Sequence, residues 1–225
     1  MGVKNIAIFG GTFDPVHKGH FYAAEVAIKK LLLDKLLFVV AKDQWRRKNI
    51  IQATPIQRLD MVKLAINEEK TSIKTKLLNH KKQFVIEASN IDLKREGKTY
   101  TIDTINQVKS MYGNNHCYFL LIGIDVAEDI HNWKNYNTIN KLVDIVVVNR
   151  KMRKNILPNI KNKYNVLSED LLDGISEETS TNQRLGWSNN APIKNQNGNL
   201  QELSNYNSVI QYISKNKLYG YDKNG

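Results

Sequence analysis

The chain has 225 residues, 41% hydrophobic and 24% charged, which suits a globular protein with a real core and excludes a fibrous, collagen-like or wholly disordered one. Lys and Arg number 33 against 22 Asp and Glu, a formal charge of +11 that favours anionic partners: nucleotides, nucleic acid or a membrane surface. The single cysteine, Cys117, excludes an internal disulfide and a cysteine-based zinc site, and no apolar run approaches the ~18 residues that span a bilayer, so the expectation is a soluble cytoplasmic protein.

Residues 4–9 carry the continuous apolar run Ile6 to Phe9 before Gly10-Gly11, the pattern of a buried strand in a parallel sheet. Residues 20–33 place apolar side chains at 21, 24, 28, 31 and 32, a helical period, and 36–41 form a second buried strand. The first 41 residues therefore read as a βαβ unit with a right-handed crossover. A helix is predicted over 55–66, with Pro55 suited to its first turn. Short strands follow over 84–88 and 91–93, a helix over 100–111, and strands over 117–122 and 142–148. Strands alternating with helices predict an α/β fold with a doubly wound, mainly parallel sheet flanked by helices. Beyond Arg150 the pattern weakens. Residues 151–163 read as loop plus a short helix, and 188–207, with seven asparagines, as a long loop insertion. Residues 208–218 regain a helical stripe at Val209, Ile210 and Ile213, a small C-terminal helical part. No repeat or linker divides the chain, so a single domain over 1–225 is expected.

The strongest chemical signal is Gly10-Gly11-Thr12-Phe13-Asp14-Pro15-Val16-His17-Lys18-Gly19-His20, between the first strand and the first helix. In an open α/β sheet, ligands bind beyond the carboxyl ends of the strands. Two glycines let backbone N–H groups approach a phosphate, and a helix N-terminus favours negative charge. His17 and His20, three apart around that turn, can point at one phosphate and stabilise charge developing in a transition state. A glycine turn with two incidental surface histidines is the bland alternative; so many ordered positions in a strand–loop–helix context weigh against it.

The stretch HKGH is similar to the H-x-G-H signature of nucleotidylyltransferases with a Rossmann-like core, and the longer GGTFDPVHKGH resembles the form found in nicotinate/nicotinamide mononucleotide adenylyltransferases. The resemblance implies transfer of AMP from ATP to an acceptor phosphate with release of pyrophosphate. It implies Mg²⁺ as cofactor, held mainly by phosphates and water rather than by a protein metal site. His17 and His20 would be catalytic, and Gly10, Gly11, Thr12 and Phe13 would help bind ATP.

Four further stretches resemble the family. Arg58-Leu59-Asp60-Met61 looks like its second helix, although alone it is an ordinary amphipathic helix. Arg95 to Thr104 (REGKTYTIDT) is similar to its R-x-G-x-[ST]-Y-T-x-[DN]-T segment, which implies acceptor binding by Tyr100, Thr101 and Thr104; a threonine-capped helix start is the plain alternative. Gly123 and Asp125 end a strand where a carboxylate can accept from ribose hydroxyls of ATP, and Trp133 resembles the tryptophan that stacks on the acceptor's pyridine ring, a core tryptophan being the alternative. Ile124 departs from the small residue usual there. Thr179 to Arg184 resembles the late I-S-x-T-x-x-R motif, which implies ATP binding by Ser180, Thr181 and Arg184, with Arg184 also catalytic through its guanidinium fork.

The basic loop 42–48 stands where the family has a Pro-Pro loop, and Lys48 is assigned to the acceptor's phosphate. The endings Tyr212-Ile213 and Leu218-Tyr219 also look like the family's. The expected reaction transfers AMP from ATP to nicotinate mononucleotide with release of pyrophosphate, with nicotinamide mononucleotide as a second acceptor, in NAD biosynthesis. The alternatives are another H-x-G-H transferase, acting on pantetheine phosphate or using a cytidylyl donor, and a basic nucleic-acid-binding module. The leading reading expects no nucleic-acid or membrane partner and leaves homo-oligomerisation open.

Overall fold

A computed structural model describes residues 2–42, 52–77, 83–148, 158–167 and 206–220. Lys48, Ser180, Thr181, Arg184 and the asparagine-rich stretch up to residue 205 lie outside these described residues. The elements in chain order are β1 (Asn5–Gly11), α1 (Lys18–Leu31), β2 (Lys35–Val40), α2 (Pro55–Lys76), β3 (Val85–Ser89), α3 (Thr101–Tyr112), β4 (Cys117–Gly123), α4 (Ile124–Ala127), a 3₁₀ turn (Ile130–Asn132), α5 (Tyr136–Leu142), β5 (Asp144–Val148), α6 (Pro158–Lys161), β6 (Asn165–Leu167), α7 (Asn207–Lys215) and a final 3₁₀ turn (Leu218–Gly220).

The six strands form one sheet in the order β3-β2-β1-β4-β5-β6, every pairing parallel. This is the Rossmann-like sheet the alternation predicts, and its order reverses between β1 and β4. Side chains alternate across it with period two. Ala7, Phe9, Leu36, Phe38 and Val40 face a first core built with α1, α2 and α7. Ile6, Ile8, Leu37, Val39, Leu120 and Ile122 face a second core built with α3, α4 and α5. Both faces are covered, which is why the strands read as continuous apolar runs. Phe38 anchors the first core: its ring stacks on Phe21 at 4.9 Å and meets Phe9 and Phe13 at 5.3 and 5.4 Å. Burying such a side chain contributes about 1.5–3 kcal/mol.

Several expectations need correction. The segment 91–93 is a turn, not a strand: Leu93 and Lys94 N–H both donate to the Asn90 carbonyl. Its alternation misleads because the polar residue between the two apolar ones, Asp92, is itself buried and bonded. Helix α2 runs to Lys76, ten residues past the expected end. The polar run Asn67 to Ser72 dilutes a stripe that resumes at Ile73 and Leu77, both buried. Leu142 ends α5 rather than opening a strand, and the three-residue β6 is too short to leave a periodic signal.

Candidate active site

The sheet opens at the carboxyl ends of its two central strands. Pairing between β1 and β4 stops at Phe9 and Leu121. Beyond that point Gly10 and Gly11 pair only with Val39 and Val40 of β2, while Ile122 and Gly123 pair only with Val147 and Val148 of β5. The result is a crevice at the topological switch point, with Gly10 and Gly11 on one lip and Gly123 and Asp125 on the other. No atom lies within 4 Å of where a Cβ on Gly10 would stand, so its backbone faces open space. Gly11 has a different reason to be glycine. A Cβ there would meet Cζ of the Phe13 ring at 2.7 Å. Phe13 itself has φ +50°, in the left-handed region that costs a side-chain-bearing residue about 1–2 kcal/mol, and its buried ring rests against Phe9, Phe38 and His20. The first glycine is thus open to a ligand, and the second makes room for an aromatic ring.

Helix α1 begins at Lys18, with His17 as its N-cap residue in extended backbone and His20 in its first turn. The two imidazoles lie 3.8 Å apart between ring centroids, tilted by 40°. They are only 2% and 8% exposed, so neither ring is open to bulk solvent. Nδ1 of His20 accepts from the His17 backbone N–H at 3.2 Å. In the neutral ring that bond leaves the proton on Nε2, which becomes a donor. Phe9 and Phe13 flank His20 at 6.2 and 5.0 Å, an apolar wall that strengthens electrostatic interactions nearby.

Two residues whose roles the motif alone does not disclose hold this loop. Asp14, 2% exposed, accepts from Gln52 N–H at 3.0 Å, from Ala53 N–H at 3.1 Å and from the Tyr219 hydroxyl at 2.6 Å. Arg58, 1% exposed, donates through Nη1 to the Thr12 carbonyl at 2.6 Å, through Nη2 to that of Lys42 at 3.3 Å and through Nε to that of Ala53 at 3.3 Å. A planar guanidinium reaches three separated carbonyls through three different nitrogens, a span that the single nitrogen of a lysine does not cover. One signal was legible: Arg58 stands four residues before the buried Val62, in the apolar stripe of α2.

On the second lip Asp125 is exposed in the first turn of α4, and Ile124 is buried in the second core. Trp133 and Tyr100 are half-buried and pack against that same core. The Lys134 ammonium sits 4.0 Å from the Tyr100 ring centroid, tying the post-β4 loop to the start of α3. Tyr100 is the N-cap residue of α3 and makes no side-chain capping bond, so the expected threonine cap is absent; Thr101 is the first helical residue. Thr104 is buried, and its hydroxyl donates to Asp92 at 2.6 Å. Arg95 joins the same group, donating to Asp92 at 3.0 Å and to Gln107 at 2.5 Å. Burial pushes the Asp92 carboxyl above its ordinary range, against the opposing pull of Thr104 and Arg95. The loop before α3 is therefore pinned from within, and the Lys42 ammonium holds it from the β2 side by donating to the Arg95 carbonyl at 2.7 Å.

Residues 8–183 match the Cytidylyltransferase-like family model. The chain is 31% identical over 215 residues to a probable nicotinate-nucleotide adenylyltransferase of Borrelia garinii, covering 95% of this chain and 94% of that one. The chain belongs to the nicotinate-nucleotide adenylyltransferase family. A relative in Clostridium tetani, also described as a probable nicotinate-nucleotide adenylyltransferase, is 36% identical over 149 residues, 66% of either chain. Among solved structures, the Plasmodium falciparum nicotinic acid mononucleotide adenylyltransferase complexed with APC superposes with a TM-score of 0.72 at 19% identity, covering 97% of this chain and 98% of that one. The same parasite protein complexed with NaAD gives a TM-score of 0.69 at 20% identity. At that identity the likeness is one of fold, and it extends over nearly the whole family chain.

No helix among the described residues is long and apolar enough to cross a membrane. No group of three or more His, Cys, Asp or Glu among them could cage a metal ion.

Proposed function

We propose that the protein transfers the adenylyl group of ATP to nicotinate mononucleotide, forming deamido-NAD and pyrophosphate, with nicotinamide mononucleotide as the weaker acceptor. The observation that carries this reading is the crevice between β1 and β4, with the His17–His20 pair on one lip and Gly123 on the other. In the transfer, an oxygen of the acceptor's phosphate attacks the α-phosphorus of ATP, and the bond to the bridging oxygen breaks as pyrophosphate leaves. The acceptor is already an anion, so no strong base is required. What the site must supply is alignment and donors for the charge that builds on the phosphoryl oxygens.

His20 suits that task because its Nδ1 is occupied by the His17 N–H, which leaves Nε2 to donate. His17 sits at the N-terminus of α1, where the helix dipole favours an anion. Open space over Gly10 supports close approach of a phosphate to the backbone. Asp125 is assigned to the ATP ribose, and Trp133 with Tyr100 and Thr101 to the pyridine end of the acceptor. Thr104 acts at one remove, by holding Asp92. Ser180, Thr181 and Arg184 are assigned to the phosphates of ATP on the family's sequence pattern, and Lys48, in a basic loop that departs from that pattern, to the acceptor's phosphate. Magnesium, which prefers oxygen ligands and retains several waters, would arrive on the triphosphate and neutralise its charge; the two imidazoles are poor ligands for it and remain as donors.

The test is pyrophosphate release with ATP, Mg²⁺ and a panel of acceptors. Nicotinate mononucleotide should give the highest kcat/KM, nicotinamide mononucleotide a lower one, and pantetheine phosphate none. Turnover of pantetheine phosphate alone would move the chain to another transferase class. No turnover at all, with steeply salt-dependent binding to random RNA or DNA, would favour the nucleic-acid module.

A further inference from the structure

The last described residues reach back to the catalytic loop, and no step above uses them. Tyr219 lies 205 positions from Asp14 in sequence, yet its hydroxyl donates to Asp14 Oδ1 at 2.6 Å. Its side chain is 3% exposed and belongs, with Leu218, to the first core. The backbone there is a hook: Lys217, Tyr219 and Gly220 all have positive φ, at 50°, 59° and 68°. Side-chain-bearing residues rarely adopt that region, and it persists where surrounding contacts over-determine it. Helix α7, which precedes the hook, is itself moored to α2: the Glu68 carboxylate accepts from Asn207 N–H, Ser208 N–H and the Ser208 hydroxyl at 3.1, 3.0 and 2.6 Å.

We propose that Tyr219 is a positioning residue for adenylyl transfer: its hydroxyl, through Asp14, fixes the loop that sets His17 and His20 in the crevice. The link is short and stiff. Asp14 is three residues from His17, and every residue from Phe13 to His17 is buried. Pro15 has a fixed φ, and Val16 is fully enclosed. A shift of the Asp14 carboxylate therefore carries to the His17 backbone, whose N–H in turn holds the His20 ring. The aromatic body of Tyr219 would fill its place in the core equally well as phenylalanine; the hydroxyl is the part addressed to the loop. The inference rests on the function proposed above.

The test compares Tyr219→Phe with Tyr212→Phe, which removes a hydroxyl from the same C-terminal segment, bonded to Asp60 at 3.3 Å rather than to the loop. Tyr219→Phe should lower kcat about 5- to 20-fold, with KM for ATP and for nicotinate mononucleotide within about twofold of the parent. Tyr212→Phe should leave kcat unchanged. The imidazole C–H resonances of His17 and His20, read by NMR without substrate, should shift in Tyr219→Phe and stay in place in Tyr212→Phe. An unchanged kcat, or unmoved histidine resonances, in Tyr219→Phe would overturn the proposal. So would a drop in melting temperature with both KM values rising, the mark of a contact that only holds the fold. A parent protein that releases no pyrophosphate fails the functional reading instead; the resonance comparison still decides whether Tyr219 orients the histidines.

Discussion

On the β1 side of the crevice, Asp14, His17, His20 and Arg58 are all less than a tenth exposed; Asp14 is held by the Gln52 N–H and the Tyr219 hydroxyl, Arg58 by the Thr12 carbonyl, and His20 by the His17 N–H. On the β4 side, Asp125 is exposed, Trp133 and Tyr100 are half-buried, and a surface lysine rests on the tyrosine ring. On the function proposed above, the contrast follows from what each side would have to do. Donors that stabilise a transition state are effective when already in place, because no reorganisation is then required at the moment of reaction. A surface that admits and releases a flat ring needs an open aromatic face and tolerates more motion. Substitutions on the first side should therefore change kcat or folding, and those on the second KM.

The largest effect is expected at the histidines. His17→Ala and His20→Ala should each lower kcat about 10²–10³-fold, equivalent to ~2.7–4 kcal/mol, with little change in the urea midpoint. Steady-state kinetics beside denaturation curves will show it, and near-normal turnover would remove that residue from the catalytic group.

Next is Arg58, whose removal strands three carbonyls at the joint between β1, β2 and α2. Arg58→Ala should destabilise the fold by about 2–4 kcal/mol, and Arg58→Lys should recover little of it, since a point charge does not reach all three. An urea midpoint within error of the parent would mean the clamp is dispensable.

Trp133 tests the opposite lip. Trp133→Ala should raise the KM of the mononucleotide about tenfold, near 1.4 kcal/mol, while the ATP KM stays put, and Trp133→Phe should restore part of it. A loss of stability together with damage to both KM values would instead make Trp133 a core residue and erase the contrast between the two sides.

The smallest effect concerns pH and the mooring of α7. Burial alone would raise the Glu68 carboxyl; the Ser208 hydroxyl, with the Ser208 and Asn207 N–H groups, outweighs it and leaves the group below its ordinary 4.5. A carboxyl lowered on folding stabilises above its unfolded value, and that contribution is lost as pH falls through the lowered one. The urea midpoint of the parent should exceed that of Glu68→Gln at pH 7, and the gap should close as pH falls from 4.5 through the lowered value. A gap of constant size would show that the bonds to Ser208 and Asn207 persist with a neutral carboxyl.

The sequence alone determined the alternation of strands and helices, the parallel sheet and the strand–loop–helix that carries His17 and His20, because apolar period and glycine placement are local properties. Its resemblance to the family, rather than any local pattern, is what assigns Trp133 and Tyr100 to the acceptor. Tertiary structure decided the rest. Whether Asp92 is solvent-facing, as in a strand, or buried beneath Thr104 depends on a helix twelve residues away. Whether Arg58 is a surface charge or a buried clamp depends on carbonyls of Thr12 and Lys42, brought to it only by the folded sheet. Gly11 seemed made for a phosphate until the Phe13 ring took the space of its missing Cβ. Tyr219 meets Asp14 across 205 positions, a separation no pattern read along the chain can join, because the bond exists only once α7 has docked on α2.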